Sequence, residues 1–252
     1  MSKLGAHLRG SLLNDATAER KFDLVLQLLQ DKASLDDRCP VTGNTAVAFA
    51  VQAGDERMIR ALVQAGACIN TPNSLGQTPM CLAGPELQST LRSLDAHVHG
   101  SQLNDAIAEC QSDLAMHLLQ AKADPHTRSP QNFQQAIHFA AAAGNEQMIR
   151  ALVAMGVDVN KQTRYGTRPI DVAAPEIIAT LRELGATQHG SALNDALVAR
   201  DRSLVLRLLE EGRVDLRARS RDGSLCTHFA AQAGYADILI TLVERGVSIN
   251  GR

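Results

Sequence analysis

The 252-residue sequence predicts an all-α solenoid, built from stacked helix-turn-helix units with short hairpin-like loops. Three observations predict it. Leu13-Asn14-Asp15 recurs as Leu103-Asn104-Asp105 and Leu193-Asn194-Asp195, 90 residues apart each time, and residues 46–70 align with 136–160 at 14 of 25 positions without a gap. The apolar residues Met58, Ile59, Leu62 and Val63 fall at i, i+1, i+4 and i+5, the stripe of an amphipathic helix. The chain has no Trp and only 3% aromatic residues, so Ala, Leu and Val must fill the core, which suits thin helices packed closely.

The period divides a single array over 1–252 into modules of about 10–99, 100–189 and 190–252, the last incomplete. Each module holds three smaller units, and the second is the clearest. Residues 45–53 read as a short helix, Gly54 as a turn, residues 55–64 as a longer helix, and Gly66 as an exit in the left-handed conformation that glycine enters cheaply. Ile69-Asn70 leads into a polar loop ending at Gly76. The third unit is short: Ala83-Gly84-Pro85 and Ala173-Ala174-Pro175 jump almost directly from first helix to second, and proline suits the first turn, where its missing donor costs nothing. That shortening predicts a change of curvature between three-unit blocks.

The segment Gly43-Asn44-Thr45-Ala46-Val47-Ala48-Phe49-Ala50, continued through Gly54 to Ala65-Gly66-Ala67-Cys68-Ile69-Asn70, resembles the ankyrin repeat. Other copies keep other parts of that pattern: Thr78-Pro79, His138 and His228 before Phe-Ala-Ala, and Gly156-Val157-Asp158-Val159-Asn160. About eight repeats can be placed, starting near 11, 42, 75, 101, 132, 165, 191 and 222. The resemblance implies binding of another protein by the loop tips, or fingers, and by the exposed side of each first helix. It also implies that His138 and His228 bond neighbouring backbone. Asn14, Asn104 and Asn194 stand in the histidine slot of the first units and are expected to tie neighbouring repeats, with each following Asp near the positive end of its helix. Phe133 replaces the turn glycine of the fifth repeat, which predicts an irregular finger there.

No catalytic set emerges. Cys226 and His228 are two apart and leave a helix on different sides, with no acid or oxyanion donor beside them. The repeated Asp residues are tens of ångströms apart in any stacked array, beyond the reach that acid–base chemistry needs. His97 and His99 have no third ligand at metal spacing and read as a surface linker. The five cysteines include no CxxC and read as small buried hydrophobes in a reducing compartment. No phosphate-binding glycine loop is present, so no cofactor and no metal are expected.

The net charge of −2 gives no reason to expect nucleic-acid binding. No stretch approaches 18 apolar residues, so no membrane association is expected, and the first residues do not resemble a signal peptide, which favours the cytoplasm. The fingers of the C-terminal half are basic: His126 and Arg128; Lys161, Arg164 and Arg168; Arg217, Arg219 and Arg221, offset by Asp215 and Asp222. The expected partner-binding residues are Arg128, Asn132, Phe133, Gln134, Lys161, Arg164, Tyr165, Arg168, Arg219, Arg221, Asp222 and Gln232, facing an acidic protein. Tyr235 is a further aromatic expected near this surface.

The last helix is as apolar as its internal equivalents, with Ile238, Leu239, Ile240, Leu242 and Val243, which predicts self-association through an uncapped C-terminal repeat. Residues 1–10 match the closing part of a module, so a fragment of a longer array is the competing expectation. Leu62, Leu152 and Leu242 occupy equivalent positions, with a smaller loss on truncation expected at Leu242. The degenerate repeats look bacterial. They suit a regulator or inhibitor that masks a partner, or an effector delivered into a host cell. The rival reading is a recruiting arm of a larger enzyme whose catalytic part lies outside this chain.

Overall fold

A computed structural model describes residues 8–212 and 214–249; the alignment of Leu4-Gly5-Ala6 with a module end lies outside the described residues. The described residues hold fifteen α-helices and two 3-10 turns, with no β-strand. The chain divides into two compact units, 1–136 and 137–252.

In the first unit the helix pairs are α1 (Leu12–Ala18) with α2 (Phe22–Gln30), α3 (Ala46–Gln52) with α4 (Glu56–Gln64), α5 (Pro79–Leu82) with α6 (Pro85–Ser93), and α7 (Gln102–Ala108) with α8 (Ser112–Gln120). Helices this short are marginal alone in water, so packing between neighbours must hold them. α1 packs on α2 and α3, and α3 packs on α4 and α5. The core follows the predicted stripes: Leu13, Val25, Val47, Met58, Ile59, Leu62, Leu87 and Leu91 form one buried cluster. Asp55 caps α4 by accepting the Met58 N–H at 3.0 Å, so the helix starts one residue later than the sequence reading placed it. Gly54 and Gly66 take φ of +70° and +99°, as their turn and exit require.

The second unit begins with α9 (Ala136–Ala142, counting its first residue) and α10 (Glu146–Ala154). Its short repeat reads 3-10 turns at Pro169–Asp171 and Pro175–Ile177 and then α11 (Ile178–Glu183). α12 (Ala192–Val198) with α13 (Arg202–Glu211), and α14 (Cys226–Ala233) with α15 (Ala236–Glu244), complete it. Leu193, Leu197, Val205, Leu209, Phe229, Ile238, Leu242 and Val247 share one core.

One expectation loses its premise on packing grounds. Leu62, Leu152 and Leu242 are all fully buried at 0% exposure. Leu242 faces the core of its own unit, so the premise of a smaller loss there does not hold. The apolar positions that the last helix leaves in water are others, Ile240 at 60% and Val243 at 37% exposure. Ile240 stands where Arg60 and Arg150 pair with Glu56 and Glu146, each at 2.8 Å.

The fifth finger is not irregular. Ser129 donates its N–H to the Gln134 carbonyl at 2.7 Å and Phe133 to Ser129 at 2.9 Å, the same two bonds that Cys39–Asn44 and Gly43–Cys39 make. Phe133 achieves this at φ +64°, against +71° for Gly43. The left-handed region costs a residue with a Cβ about 1–2 kcal/mol, while glycine loses about 0.5–1 kcal/mol more chain entropy on folding. Replacing Phe133 with Gly is therefore expected to raise stability by about 0.5–1 kcal/mol, read from the shift of a urea unfolding midpoint at unchanged slope. A loss of stability would mean that contacts of the ring outweigh the strain.

Candidate functional site

Three repeated polar devices join consecutive repeats, and they set where the fingers stand. In the first, the buried Asn14 donates both side-chain N–H groups to carbonyls on two loops, Arg9 at 2.9 Å and Asp37 at 3.0 Å. Asn104 does the same with His99 at 3.0 Å and Thr127 at 3.1 Å, and Asn194 with His189 at 2.7 Å and Ala218 at 3.3 Å. The histidine-slot asparagines thus tie one repeat to the next finger.

The second device is the following aspartate. Asp105 accepts the N–H groups of Val98 at 3.0 Å and His99 at 2.7 Å, and Asp195 accepts those of Gln188 at 2.9 Å and His189 at 2.7 Å. Each lies in the first turn of its helix, where the dipole favours a carboxylate. The third device is the exit asparagine. Asn70 donates to the Asp95 carbonyl at 2.8 Å and accepts the His97 N–H at 2.7 Å. Asn160 bridges Gly185 and Thr187 in the same way, at 2.8 Å each.

His97 is not a surface linker. Its ring is largely buried, between Asp95 at 3.2 Å and Asp105 at 3.6 Å. The Asp105 carboxylate raises its pKa above the ordinary imidazole value, against the opposing effect of burial. Burial pushes Asp105 up, but its bonds to His97 and to the backbone N–H groups outweigh that and hold it below the usual carboxylate range. His99 is shifted down by burial. Among the described residues no three His, Cys, Asp or Glu side chains cluster as metal ligands do.

The cysteines divide. Cys39 and Cys226 are buried, Cys81 is partly so, and Cys68 and Cys110 are exposed, which corrects the reading of all five as buried fillers. Burial pushes the Cys226 thiol up to about 11, and its S–H donates to the Leu216 carbonyl at 3.2 Å. His228 is exposed and accepts the Leu225 N–H at 3.1 Å, capping its own helix. A protonated thiol and an imidazole occupied in this way make no nucleophile–base pair. His138, in contrast, is fully buried.

The expected binding residues separate into three environments. In the first unit Arg128 and Phe133 are exposed, the guanidinium lying 5.9 Å from the ring centre, while Asn132 and Gln134 are half-buried. In the second unit Arg164, Tyr165, Arg219, Arg221, Asp222 and Gln232 are exposed and Lys161 is half-buried. Arg164 lies over the Tyr165 ring at 5.5 Å. Arg168 differs from these. It is 6% exposed and donates to the carbonyls of Thr187 at 3.3 Å and Gln188 at 2.9 Å. It fills the place of Thr78, which donates to the His97 carbonyl at 2.7 Å. Tyr235 is half-buried. It precedes α15 and donates its hydroxyl to the Arg200 carbonyl at 2.7 Å.

The finger acids are absorbed by their own turns. Asp215 accepts the Arg217 N–H at 2.9 Å. Asp222 accepts the Ser220 hydroxyl and the Ser224 N–H, and these bonds hold its carboxyl below the ordinary range. Arg217 and Arg221, however, have no ion-pair partner among the described residues. Beside them a groove of about 740 Å³ is lined by Gln188, His189, Val198, Arg221, Phe229 and Gln232, among others. Its floor is the Phe229 ring, met edge-on by the His189 imidazole at 5.6 Å. Sequence reasoning missed this pair; the signal is Arg9 over Phe49 at 5.9 Å, 180 residues earlier in the same register.

Residues 103–189 match a family model described as ankyrin repeats in three copies, and residues 42–74 match the single ankyrin repeat. Among curated proteins the chain is 33% identical over 135 residues to "NF-kappa-B inhibitor cactus" of Drosophila melanogaster, covering 54% of this chain and 21% of that protein. It is 32% identical over 123 residues to "Ankyrin repeat and SOCS box protein 6" of Homo sapiens, covering 42% of this chain and 29% of that one. The chain therefore spans less than a third of the length of either relative.

Proposed function

Because the chain belongs to the ankyrin-repeat family, we propose that it is a non-enzymatic module that binds an acidic protein on its finger-bearing, first-helix face. One observation carries the charge preference. In the second unit Asp215 and Asp222 hydrogen-bond within their own turns, while Arg217 and Arg221 stay exposed without an ion-pair partner among the described residues. The chain as a whole is nearly neutral, so a local cationic face steers a partner without attracting every polyanion. Steering acts mainly on the association rate and on specificity. Tyr165 and the Phe229 groove add apolar area of the kind that anchors interfaces. The proposed surface lies in the second unit and comprises Arg164, Tyr165, Arg217, Arg219, Arg221, Asp222 and Gln232 with Lys161. Arg168 is left out because its guanidinium is spent inside the array. That one relative is an inhibitor by name supports masking of a partner as the mode of action.

The test is affinity capture with the intact chain and with a variant carrying Arg164, Arg219 and Arg221 each changed to Glu. Proteins held by the native chain should be lost by the variant, and their association rate should fall about tenfold or more at low salt. An identical captured set with unchanged rates would contradict the reading.

A further inference from the structure

The two junctions between modules carry the same pocket in two states. In the first unit a cavity of about 120 Å³ is lined by ten residues from Arg92 to Leu114. In the second unit a cavity of about 330 Å³ is lined by ten residues from Arg182 to Leu204. Every lining residue of the second lies 90 positions after a lining residue of the first. The shortened third repeat followed by a full one makes this cleft each time, so it is a product of the fold and not a surface accident.

The first cleft is filled by the chain itself. Glu109 reaches Arg92 with both carboxylate oxygens, at 2.7 and 3.4 Å, and Gln102, His97 and Gln111 occupy the remaining space. In the second cleft those positions are Ala199, Ala192, Thr187 and Asp201. The plug is gone, the walls are largely methyl groups, and the space is larger. Arg182 keeps the place of Arg92 and is exposed, and its guanidinium has no hydrogen-bond or ion-pair partner among the described residues. The oxygens of the other two charged residues in the lining are already engaged. Asp195 holds two backbone N–H groups and the His189 ring at 2.9 Å, and Asp201 caps α13 through the Leu204 N–H at 3.0 Å. Of the three charged side chains, the Arg182 guanidinium is the one whose polar atoms are unengaged, and it stands beside an apolar hollow.

We propose that the second module junction, between Arg182 and Ala199, is a binding site for a small apolar monocarboxylate. Its carboxylate takes the place that Glu109 takes on Arg92, and its hydrocarbon tail fills the space vacated at Ala192 and Ala199, against Ala196. Arg182 supplies the paired N–H geometry that matches a carboxylate. The tail contributes by leaving water for an alanine-lined wall. This site is independent of the finger surface and shares none of the residues proposed for partner binding.

The probe is hexanoate, titrated into the intact chain by calorimetry with alanine-methyl chemical shifts followed in parallel. A ligand of this size should bind one site with a Kd on the order of 0.1–1 mM. Hexanamide, equal in shape but uncharged, should bind at least about tenfold more weakly, as should hexanoate to Arg182→Gln. Ala199→Glu rebuilds the plug of the first junction and should abolish binding; the glutamate already present at the first junction shows that the fold accommodates it. Arg92→Gln should leave hexanoate binding unchanged. The proposal is overturned if hexanoate gives no saturable heat, if the amide binds equally well, or if binding survives Ala199→Glu. A loss of protein capture by finger variants with hexanoate binding intact would separate the two sites.

Discussion

Truncating Leu152 to Ala will destabilise the chain by about 2–5 kcal/mol, and truncating Leu242 will cost a similar amount. Both side chains are fully buried, and Leu242 packs among Phe229, Ile238 and Val247. The loss has two parts, the transfer of the missing carbons and the cavity left behind, and the rigidity of the surrounding helices decides the second. Short helices held only by neighbours have limited freedom to collapse into the gap. Urea unfolding of the two variants checks the values. A loss at Leu242 of under about 1 kcal/mol would mean that the last repeat is too loosely packed for its burial to count.

The second large effect is expected at Asn104. Its side chain is fully buried and donates to two carbonyls on different loops. Asn104→Ala removes both donors, and each dry carbonyl costs about 1–3 kcal/mol. Its Oδ1 has no partner, so the change also relieves one buried acceptor, and a net loss near 2 kcal/mol follows. Asn104→Asp should be worse despite equal size. It abolishes the donors and sets a buried carboxylate against two carbonyl oxygens, at about 3–5 kcal/mol if it stays ionised. The ordering Asp below Ala below Asn in thermal midpoint checks the tie. Equal midpoints for all three would show that Asn104 merely fills space.

Much of this was readable in the chain before folding. Glycine exits such as Gly66 were legible because the left-handed conformation has a local sequence signature. The asparagine tie at Asn14, Asn104 and Asn194 was legible because it recurs at a fixed period. What escaped is of two kinds. At Phe133 the register marks the turn glycine's place, but not that a ring-bearing residue accepts the same positive φ there. The rest depends on contacts between distant residues. Arg168 looks like its finger neighbours until the Thr187 and Gln188 carbonyls arrive beside it from about 20 residues onward. Tyr235 was placed near the fingers because sequence distance does not say which end of a helix pair a side chain serves. The module junction is an intermediate case. The change from Glu109 to Ala199 is visible in the 90-residue register, but that it empties a cleft beside an unpaired arginine requires the fold.

Each repeat is held by the packing of those beside it. Native-state hydrogen exchange on the Leu242→Ala variant tests that most directly. The prediction is a loss of amide protection in α12 to α15 with protection in α3 and α4 unchanged. A uniform loss across all helices would mean that one cooperative core holds the whole chain, and would contradict it.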